Sequence, residues 1–137
     1  MAEHGFAHLS AGDLLRDEVA SGSENGEMIS NMMKAGALVP GEIPCRLIKA
    51  AMEKQGWAAK RFLIDGFPRG MDNYTSWQAV MGESIDLAGI LHFVVDEEQL
   101  KQRILKRAET SGRADDNVET LLKRFATYRT EQLPAIK

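Results

Sequence analysis

Short apolar runs alternate along the chain with longer stretches that have helical spacing, and this pattern predicts its elements. The apolar runs Phe6–Ser10, Arg61–Asp65 and Gly89–Val95 each predict a strand. The last run is almost continuously apolar, which is typical of a parallel strand covered on both faces. Apolar residues at helical spacing predict helices over Asp13–Ala20, Glu27–Ala35, a stretch between Gly41 and Gly56, Glu97–Ala108 and a stretch that follows Asp116.

The order of these elements predicts an α/β fold, a parallel sheet flanked by helices, and the 137 residues fit a single domain. Ser10 or Asp13 is placed to cap the first helix, and Gly36 is placed to end the second. Asp116 and Glu119 have the spacing of a capping box for the last predicted helix.

Composition narrows the classes of function. Hydrophobic residues make up 44% and charged residues 27%, which is typical of a folded globular protein. The net charge of -3 shows no basic surplus, so we expect no nucleic-acid polymer as a partner. No apolar run is long enough to span a bilayer and the N-terminus lacks a signal-peptide pattern, so we expect no membrane partner and a cytoplasmic location. The single cysteine, Cys45, excludes an internal disulfide and a cysteine-based zinc site.

Arginine placement is the main chemical signal. Arginines lie at strand ends, in polar loops or on helices beside a polar loop: Arg16, Arg69, Arg103, Arg107, Arg113 and Arg124. The planar guanidinium group matches phosphate oxygens and stays charged at physiological pH, and phosphoryl transfer depends on such groups. A lone arginine is more simply interpreted as a solvated surface charge, so the local context decides.

The first such context is the segment Asp65–Arg69 (DGFPR), where an apolar strand ends in a carboxylate and a turn presents an arginine. Ligands of open α/β sheets bind outside the carboxyl ends of strands. Asp65 at this place suits a Mg²⁺ ion held through water, and Arg69 suits a phosphate. The alternative is a structural turn with a surface salt bridge.

The second context is the polar segment Arg107–Asp116, which has arginines on both sides and is followed by Arg124. Such a loop suits a lid that closes on phosphates and excludes water, with Asp115 and Asp116 holding the arginines in place. The alternative is an exposed connection between helices in which Asp116 acts only as a cap.

Spaced motifs occur in a fixed order along the chain: Leu9–Arg16 (LSAGDLLR), Gly36–Pro40 (GALVP), Asp65–Arg69 (DGFPR) and Arg107–Asn117 (RAETSGRADDN). Together they resemble the nucleoside monophosphate kinases, the group that includes adenylate kinases and UMP-CMP kinases. The resemblance covers essentially the whole chain. It implies a parallel sheet flanked by helices, a monophosphate-binding helical arm over residues 13–60 and a short lid over residues 108–118.

The resemblance implies Mg²⁺-dependent phosphoryl transfer from ATP to a nucleoside monophosphate, so these nucleotides are the expected partners. On the acceptor side, the matching residues are Ser10, Gly12, Arg16, Val39, Gly66, Arg69 and Asn73. Around the transferred phosphate they are Asp65, Arg107, Arg113 and Arg124, and on the ATP side they are Arg103 and Arg107. In this match Arg16 and Arg69 hold the acceptor phosphate. Asp65 orders a magnesium-bound water, so no direct metal ligand is implied.

The acceptor base is implied by one position. Asn73 stands where adenylate kinases tend to have Gln, and a shorter amide suits a pyrimidine edge, so UMP and CMP are favoured. Gly70 departs from this pattern, since UMP-CMP kinases usually have a second Asn there. An adenylate kinase that acts on AMP therefore stays open as the alternative.

The chain differs from family members at both ends. Family members begin with a strand and a phosphate loop, GxxxxGK, but no Gly-Lys pair occurs here, and the last family strand is missing too. In the family that first strand lies between the strands matched by Arg61–Asp65 and Gly89–Val95, so we expect an open sheet edge and self-association through it. Without the loop's N–H groups and lysine, we expect the chain alone to be a poor or inactive kinase. The second hypothesis is a non-catalytic nucleotide-binding or interaction module.

Overall fold

The structure, a computed structural model, describes residues 4–57 and 61–137. Its strands and helices, in chain order, are β1 Phe6–Ser10, α1 Ala11–Ala20, α2 Gly26–Ala35, α3 Glu42–Lys54, β2 Arg61–Asp65, α4 Met71–Met81, α5 Glu97–Ser111, α6 Val118–Thr127 and α7 Leu133–Ile136. A 3₁₀ turn, Gly82–Ser84, follows α4, and one turn of π-helix, Tyr128–Gln132, joins α6 to α7. This order confirms the predicted α/β class. The predicted end of the arm at residue 60 lies outside the described residues.

The two strands lie side by side in parallel. Phe6 is opposite Arg61 and Ser10 is opposite Asp65, so both strands end at the same edge of the sheet. Helix α1 begins directly after Ser10, and a turn that starts at Gly66 follows Asp65. The predicted site residues of these two segments therefore meet at the carboxyl edge of the sheet, where open α/β sheets bind their ligands.

The third predicted strand, Gly89–Val95, is absent, so this prediction was wrong. The segment has no regular secondary structure, and its Leu91 and Phe93 are 77% and 84% exposed. Among the described residues the sheet consists of β1 and β2, so the second edge of β2 stays open and the apolar segment has no strand to pair with. A buried parallel strand needs a neighbouring strand, and the hydrophobicity of a sequence does not report whether one is present.

The hydrophobic core lies between the sheet and helices α1 to α4. Its main cluster joins the end of β1 to α3 and α4, and consists of Leu9, Ala11, Cys45, Ile48, Met52, Trp77 and Met81. A second cluster, Leu15, Ile29 and Val39, packs α1 against α2 and the link that follows it. Helix α5, in contrast, contains no buried residue. In the parts of the chain that are described, no helix is long and apolar enough to cross a membrane.

The ends of the helices match the predictions except at α6. Ser10 caps α1 by accepting a hydrogen bond of 3.3 Å from the Asp13 N–H. Gly36 ends α2 with a φ of 69°, a conformation that strains other residues. The predicted capping box was wrong, because Asn117 caps α6 and Asp116 is buried, where it accepts hydrogen bonds from other side chains.

Candidate functional site

The turn after β2 folds Arg69 back over the edge of the sheet. Gly66 has a φ of 72°, and Nε of Arg69 donates a hydrogen bond of 2.7 Å to the Gly66 carbonyl. This backbone conformation favours glycine, and a Cβ at Gly66 would lie 2.9 Å from a terminal nitrogen of Arg69 and would displace its guanidinium group. Asn73 of α4 accepts the Arg69 backbone N–H through Oδ1 at 2.9 Å. These bonds fix the guanidinium group where β2 ends.

Three guanidinium groups lie beside this turn, and we call Arg16, Arg69 and Arg124 the arginine cluster. A Cβ at Gly12 would lie 3.1 Å from a terminal nitrogen of Arg16 and 3.5 Å from one of Arg69. Burial lowers the pKa of Arg69, and the charges of Arg124 and Arg16 lower it further, by more than nearby carboxylates raise it. Arg69 forms no salt bridge with any carboxylate in residues 4–57 and 61–137. A half-buried cluster of like charges is suited to bind a phosphate.

A pocket opens next to the arginine cluster. It is lined by the segment Gly36–Val39 between α2 and α3, by Phe67, by Asn73, and by Arg69 and Arg124. We call Gly36–Val39 the pocket wall. Apolar walls with a few convergent polar groups are typical of sites for small molecules. The pocket therefore suits an organic group that is attached to a phosphate.

An ion pair between Arg107 and a buried carboxylate, Asp116, holds the loop between α5 and α6. Arg107 donates two hydrogen bonds to Asp116, of 2.9 Å from Nε and 2.5 Å from a terminal nitrogen, and Ser111 donates a third of 2.7 Å. Burial raises the pKa of Asp116, but the hydrogen bonds from Arg107 and Ser111 outweigh it, so this pKa lies below its ordinary value. The hydrogen bond with Asp116 in turn raises the pKa of Arg107. The pair fixes the loop to the end of α5.

Two other carboxylates contact arginines of this region. Oδ1 of Asp13 accepts a hydrogen bond from Arg16 and lies 3.5 Å from a terminal nitrogen of Arg113. The hydrogen bond from Arg16 is the main reason why the pKa of Asp13 is lowered. Asp115 lies 3.4 Å from Arg124. The loop after α5 therefore reaches α1 and α6, and it brings Arg113 close to Arg16.

The structure brings most of the predicted site residues to one region. Those around the pocket or the arginine cluster are Gly12, Arg16, Val39, Gly66, Arg69, Asn73 and Arg124, and Arg113 joins them through Asp13. Ser10 serves as the cap of α1. The side chain of Asp65 is 69% exposed, and its Oδ2 lies 3.8 Å from Nε2 of His8. Arg103 is exposed on α5 and forms no ion pair within the described part of the chain.

A magnesium ion fits this region through water rather than through several protein ligands. No group of three or more His, Cys, Asp or Glu side chains that could hold a metal ion occurs in the residues that the structure describes. Mg²⁺ usually keeps several waters and needs only one or two carboxylates. Asp65, exposed at the end of β2, is the residue that could hold a hydrated Mg²⁺ ion.

Several side chains that join these segments have no local signal in the sequence. Asp72 accepts the Gly41 N–H at 2.5 Å, and Thr120 donates to the Lys34 carbonyl at 3.0 Å. The partners are 31 and 86 residues apart in the chain. No pattern of neighbouring residues marks a carboxylate or hydroxyl group with so distant a partner.

These features define an α/β protein in which an arginine cluster and a pocket lie at the carboxyl edge of a parallel sheet. The family model described as adenylate kinase matches residues 1–137, so the chain belongs to the adenylate kinase family. This membership confirms the resemblance that the motifs of the sequence indicate.

The individual relatives include proteins named UMP-CMP kinase and proteins named adenylate kinase. The chain is 47% identical over 138 residues to UMP-CMP kinase 3 of Oryza sativa subsp. japonica, and this alignment covers 100% of this chain and 63% of that protein. It is 47% identical to UMP-CMP kinase of Gallus gallus, over 98% of this chain and 70% of that protein. It is 45% identical to adenylate kinase isoenzyme 1 of Caenorhabditis elegans, over 99% of this chain and 64% of that protein. The chain thus spans about two thirds of the length of these relatives.

Proposed function

We propose that the protein transfers a phosphoryl group from ATP to a nucleoside monophosphate, with UMP and CMP as the preferred acceptors. The observation that carries this proposal is the arginine cluster beside the pocket at the carboxyl edge of the sheet. Guanidinium groups that converge on one place suit a doubly charged phosphate, and the pocket suits the nucleoside attached to it. Membership of the adenylate kinase family supports the same class of reaction.

In the proposed reaction an oxygen of the acceptor phosphate attacks the γ-phosphorus of ATP. The bond from that phosphorus to the bridging oxygen breaks, and ADP leaves with the bond's electron pair. Arg16 and Arg69 hold the acceptor phosphate, while Arg113 and Arg124 stabilise the charge on the group in transfer. Arg107 joins them from near the end of α5.

The remaining groups act on the ATP side. Arg103 on α5 contacts ATP in this proposal, and Asp65 holds the water shell of Mg²⁺, which neutralises phosphate charge when it is bound with ATP. Helices α1 to α3 belong to the proposed arm, residues 13–60, and the loop after α5 belongs to the proposed lid, residues 108–118. Closure of such a lid excludes water from the transferred group.

The preference for pyrimidines is supported by Asn73 and by the relatives. Oδ1 of Asn73 accepts the Arg69 N–H, which leaves the amide NH₂ group as the donor that Asn73 can offer a ligand. Uracil and cytosine both carry a carbonyl oxygen that accepts such a bond, whereas adenine offers only ring nitrogens as acceptors. Gly70 lets the pocket wall approach α4, since a Cβ there would lie 3.1 Å from Cδ1 of Leu38. Two of the relatives above are named UMP-CMP kinases, and the third, an adenylate kinase, keeps AMP as the second candidate.

We expect the isolated 137-residue chain to bind an acceptor but to transfer phosphate slowly. It contains no Gly-Lys pair, so the N–H groups and lysine with which a GxxxxGK loop neutralises donor phosphates are not among its residues. A coupled assay on the purified chain should show turnover at least about 100-fold below that of a UMP-CMP kinase. Comparable turnover would overturn this expectation. An in-frame stretch coding for GxxxxGK beside the coding sequence would favour the kinase over a non-catalytic module.

The binding proposal is tested by calorimetric titration of the purified chain with UMP, CMP, AMP and ATP in separate experiments. UMP and CMP should bind with similar Kd, AMP about tenfold more weakly, and ATP most weakly of all. Tighter binding of AMP than of UMP would reassign the acceptor base. Absence of binding by all three monophosphates would contradict the proposal for this chain.

A further inference from the structure

A hydroxyl group of α6 holds the turn at the end of α2. The last carbonyl groups of a helix have no partner within that helix and must find one elsewhere. The Lys34 carbonyl accepts a hydrogen bond of 3.0 Å from Oγ1 of Thr120. Oγ1 of Thr127 lies 3.3 Å from the Gly36 carbonyl oxygen and 3.0 Å from the Lys123 carbonyl oxygen of its own helix, and its single proton serves one of them at a time. Thr120 therefore provides the side-chain bond that satisfies a carbonyl group at the end of α2.

The contact between α6 and this turn is close and largely buried. Thr120 is 4% exposed and its neighbour Leu121 is 1% exposed. A Cβ at Gly36 would lie 3.1 Å from Cβ of Lys123 and 3.3 Å from the Thr120 carbonyl oxygen, so α6 packs directly on the backbone of the turn. Gly36 is also the first residue of the pocket wall. The position of the wall therefore depends on α6.

The same face of α6 carries an arginine of the cluster. Arg124 lies four residues after Thr120 and three residues before Thr127, and these spacings place all three on one helix face. Arg124 and Thr127 both line the pocket. We infer that Thr120 is a positioning residue, which through its bond to the Lys34 carbonyl holds the pocket wall in a fixed place relative to Arg124. The inference rests on the proposed function, because it assigns the wall to the nucleoside and Arg124 to the phosphates.

Matched variants separate positioning from general packing. Thr120→Val keeps the shape of the side chain and removes the hydroxyl group, whereas Thr120→Ser keeps the hydroxyl group. Thr130→Val is the control, because Thr130 is exposed and donates only to the Ala126 carbonyl of its own helical segment, at 3.1 Å. The two probes are UMP and ribose 5-phosphate, which carries a phosphate but no base to contact the wall.

Calorimetry should show that Thr120→Val weakens UMP binding about tenfold, because the loosened wall has to be ordered on binding. Binding of ribose 5-phosphate to this variant, and of UMP to Thr120→Ser and Thr130→Val, should stay within about twofold of the unchanged chain. Equal weakening for UMP and ribose 5-phosphate would show a general loosening and would overturn the inference. An unchanged Kd for UMP in Thr120→Val would overturn it as well.

Hydrogen exchange gives a readout that needs no ligand. The N–H groups of Gly36 and Ala37 donate to carbonyls of α2 at 3.1 and 3.0 Å, so their exchange rates report on the turn. Exchange should be about tenfold faster in Thr120→Val and unchanged in Thr130→Val. Unchanged exchange in Thr120→Val would refute the positioning role.

Failure of the proposed function can be told apart from failure of this inference. If the unchanged chain binds no monophosphate, the proposed function fails, while hydrogen exchange still decides whether Thr120 holds the wall. If Thr120→Val does not fold, Thr120→Ala takes its place, because it also removes the hydroxyl group that bonds the Lys34 carbonyl. We then expect at least about a tenfold loss in UMP binding, and no loss would overturn the inference.

Discussion

Two regions of the molecule differ in how much of their apolar surface they bury. The packed region, β1, β2 and α1 to α4, contains Ile29 and Ile48, both 0% exposed. The open region, residues 86–111, contains no buried residue, and Phe93 within it is 84% exposed. Both regions contain apolar runs, so a neighbouring strand or helix, rather than the run itself, decides what is buried. The pocket beside the arginine cluster is lined mainly by residues of the packed region and α6, so the proposed monophosphate binding is expected of these residues.

The largest effect is expected at the arginine cluster of the packed region. Arg69→Ala should weaken monophosphate binding at least about 100-fold, because it removes a half-buried guanidinium group that can donate charge-assisted hydrogen bonds to the phosphate. Arg46→Ala is the control in the calorimetric comparison. Arg46 is exposed and pairs with Glu42 one helical turn away, so its loss should change Kd less than about twofold. A Kd for Arg69→Ala within about tenfold of that of the unchanged chain would remove Arg69 from the site.

The two regions should also differ in how much the truncation of a side chain lowers the free energy of unfolding. Ile48→Ala, at a position that is 0% exposed, should lower the free energy of unfolding by about 2–4 kcal/mol. Leu91→Ala, at a position that is 77% exposed, should change it by less than about 0.5 kcal/mol. Urea unfolding followed by circular dichroism measures both values. Similar losses in the two variants would show that the open region is packed in solution.

A smaller effect on the free energy of unfolding is expected at the ion pair between the end of the open region and the loop that follows it. Asp116→Asn removes the negative charge of the carboxylate to which Arg107 and Ser111 donate hydrogen bonds. It should lower the free energy of unfolding by about 1–2 kcal/mol. The value is modest because the side chain of Arg107 is 41% exposed and water can replace its partner. An unchanged free energy of unfolding would show that the pair does not form.

The carboxyl group of Asp116 should also make the free energy of unfolding depend on pH. Its pKa is lowered in the folded chain, so its contribution to the free energy of unfolding is present above the ordinary pKa of 3.8. That contribution is lost as the pH falls through the pKa of the folded state. The difference in free energy of unfolding between the unchanged chain and Asp116→Asn should be constant from about pH 7 to pH 5 and shrink below about pH 4. A difference that persists in acid would assign the effect to packing instead of charge.

The smallest effect on stability is expected for the apolar surface of the open region. The double variant Leu91→Ser and Phe93→Ser should change the free energy of unfolding by less than about 0.5 kcal/mol. It should nevertheless lower self-association measured by light scattering, because an open sheet edge beside exposed apolar residues favours association. Leu122→Ser, on α6 and 57% exposed, is the matched control. An equal decrease in both would mean that association is unspecific, and a decrease in neither would remove the open edge as its cause.

Local patterns in the sequence predicted the features that depend on neighbouring residues. Ser10 caps α1 and Gly36 ends α2 because each acts on its own turn of the chain. The strand predicted at Gly89–Val95 failed because a strand also needs a partner, and no hydrophobic pattern reports one. Asp116 has the spacing of a cap, but folding brings it to Arg107, nine residues earlier, and the ion pair takes the carboxylate.

The candidate site also contains features that neighbouring residues predict and features that depend on distant partners. That Arg16, Arg69 and Arg124 lie near one another was predictable, since each stands after a strand end or beside a polar loop, but their proposed roles stay predictions. What holds the pocket wall was not predictable, because the bond from Thr120 to Lys34 joins residues that are 86 positions apart. Such contacts depend on how the helices pack against one another, and no single segment of the sequence predicts that packing.

The most direct test of the acceptor site is a crystal structure of the chain with UMP. We predict that the phosphate lies within hydrogen-bond distance, about 3 Å, of the guanidinium groups of Arg16 and Arg69. The uracil should contact Val39 and the side-chain amide of Asn73. A phosphate bound away from both arginines, with the pocket empty of the base, would contradict the proposed function.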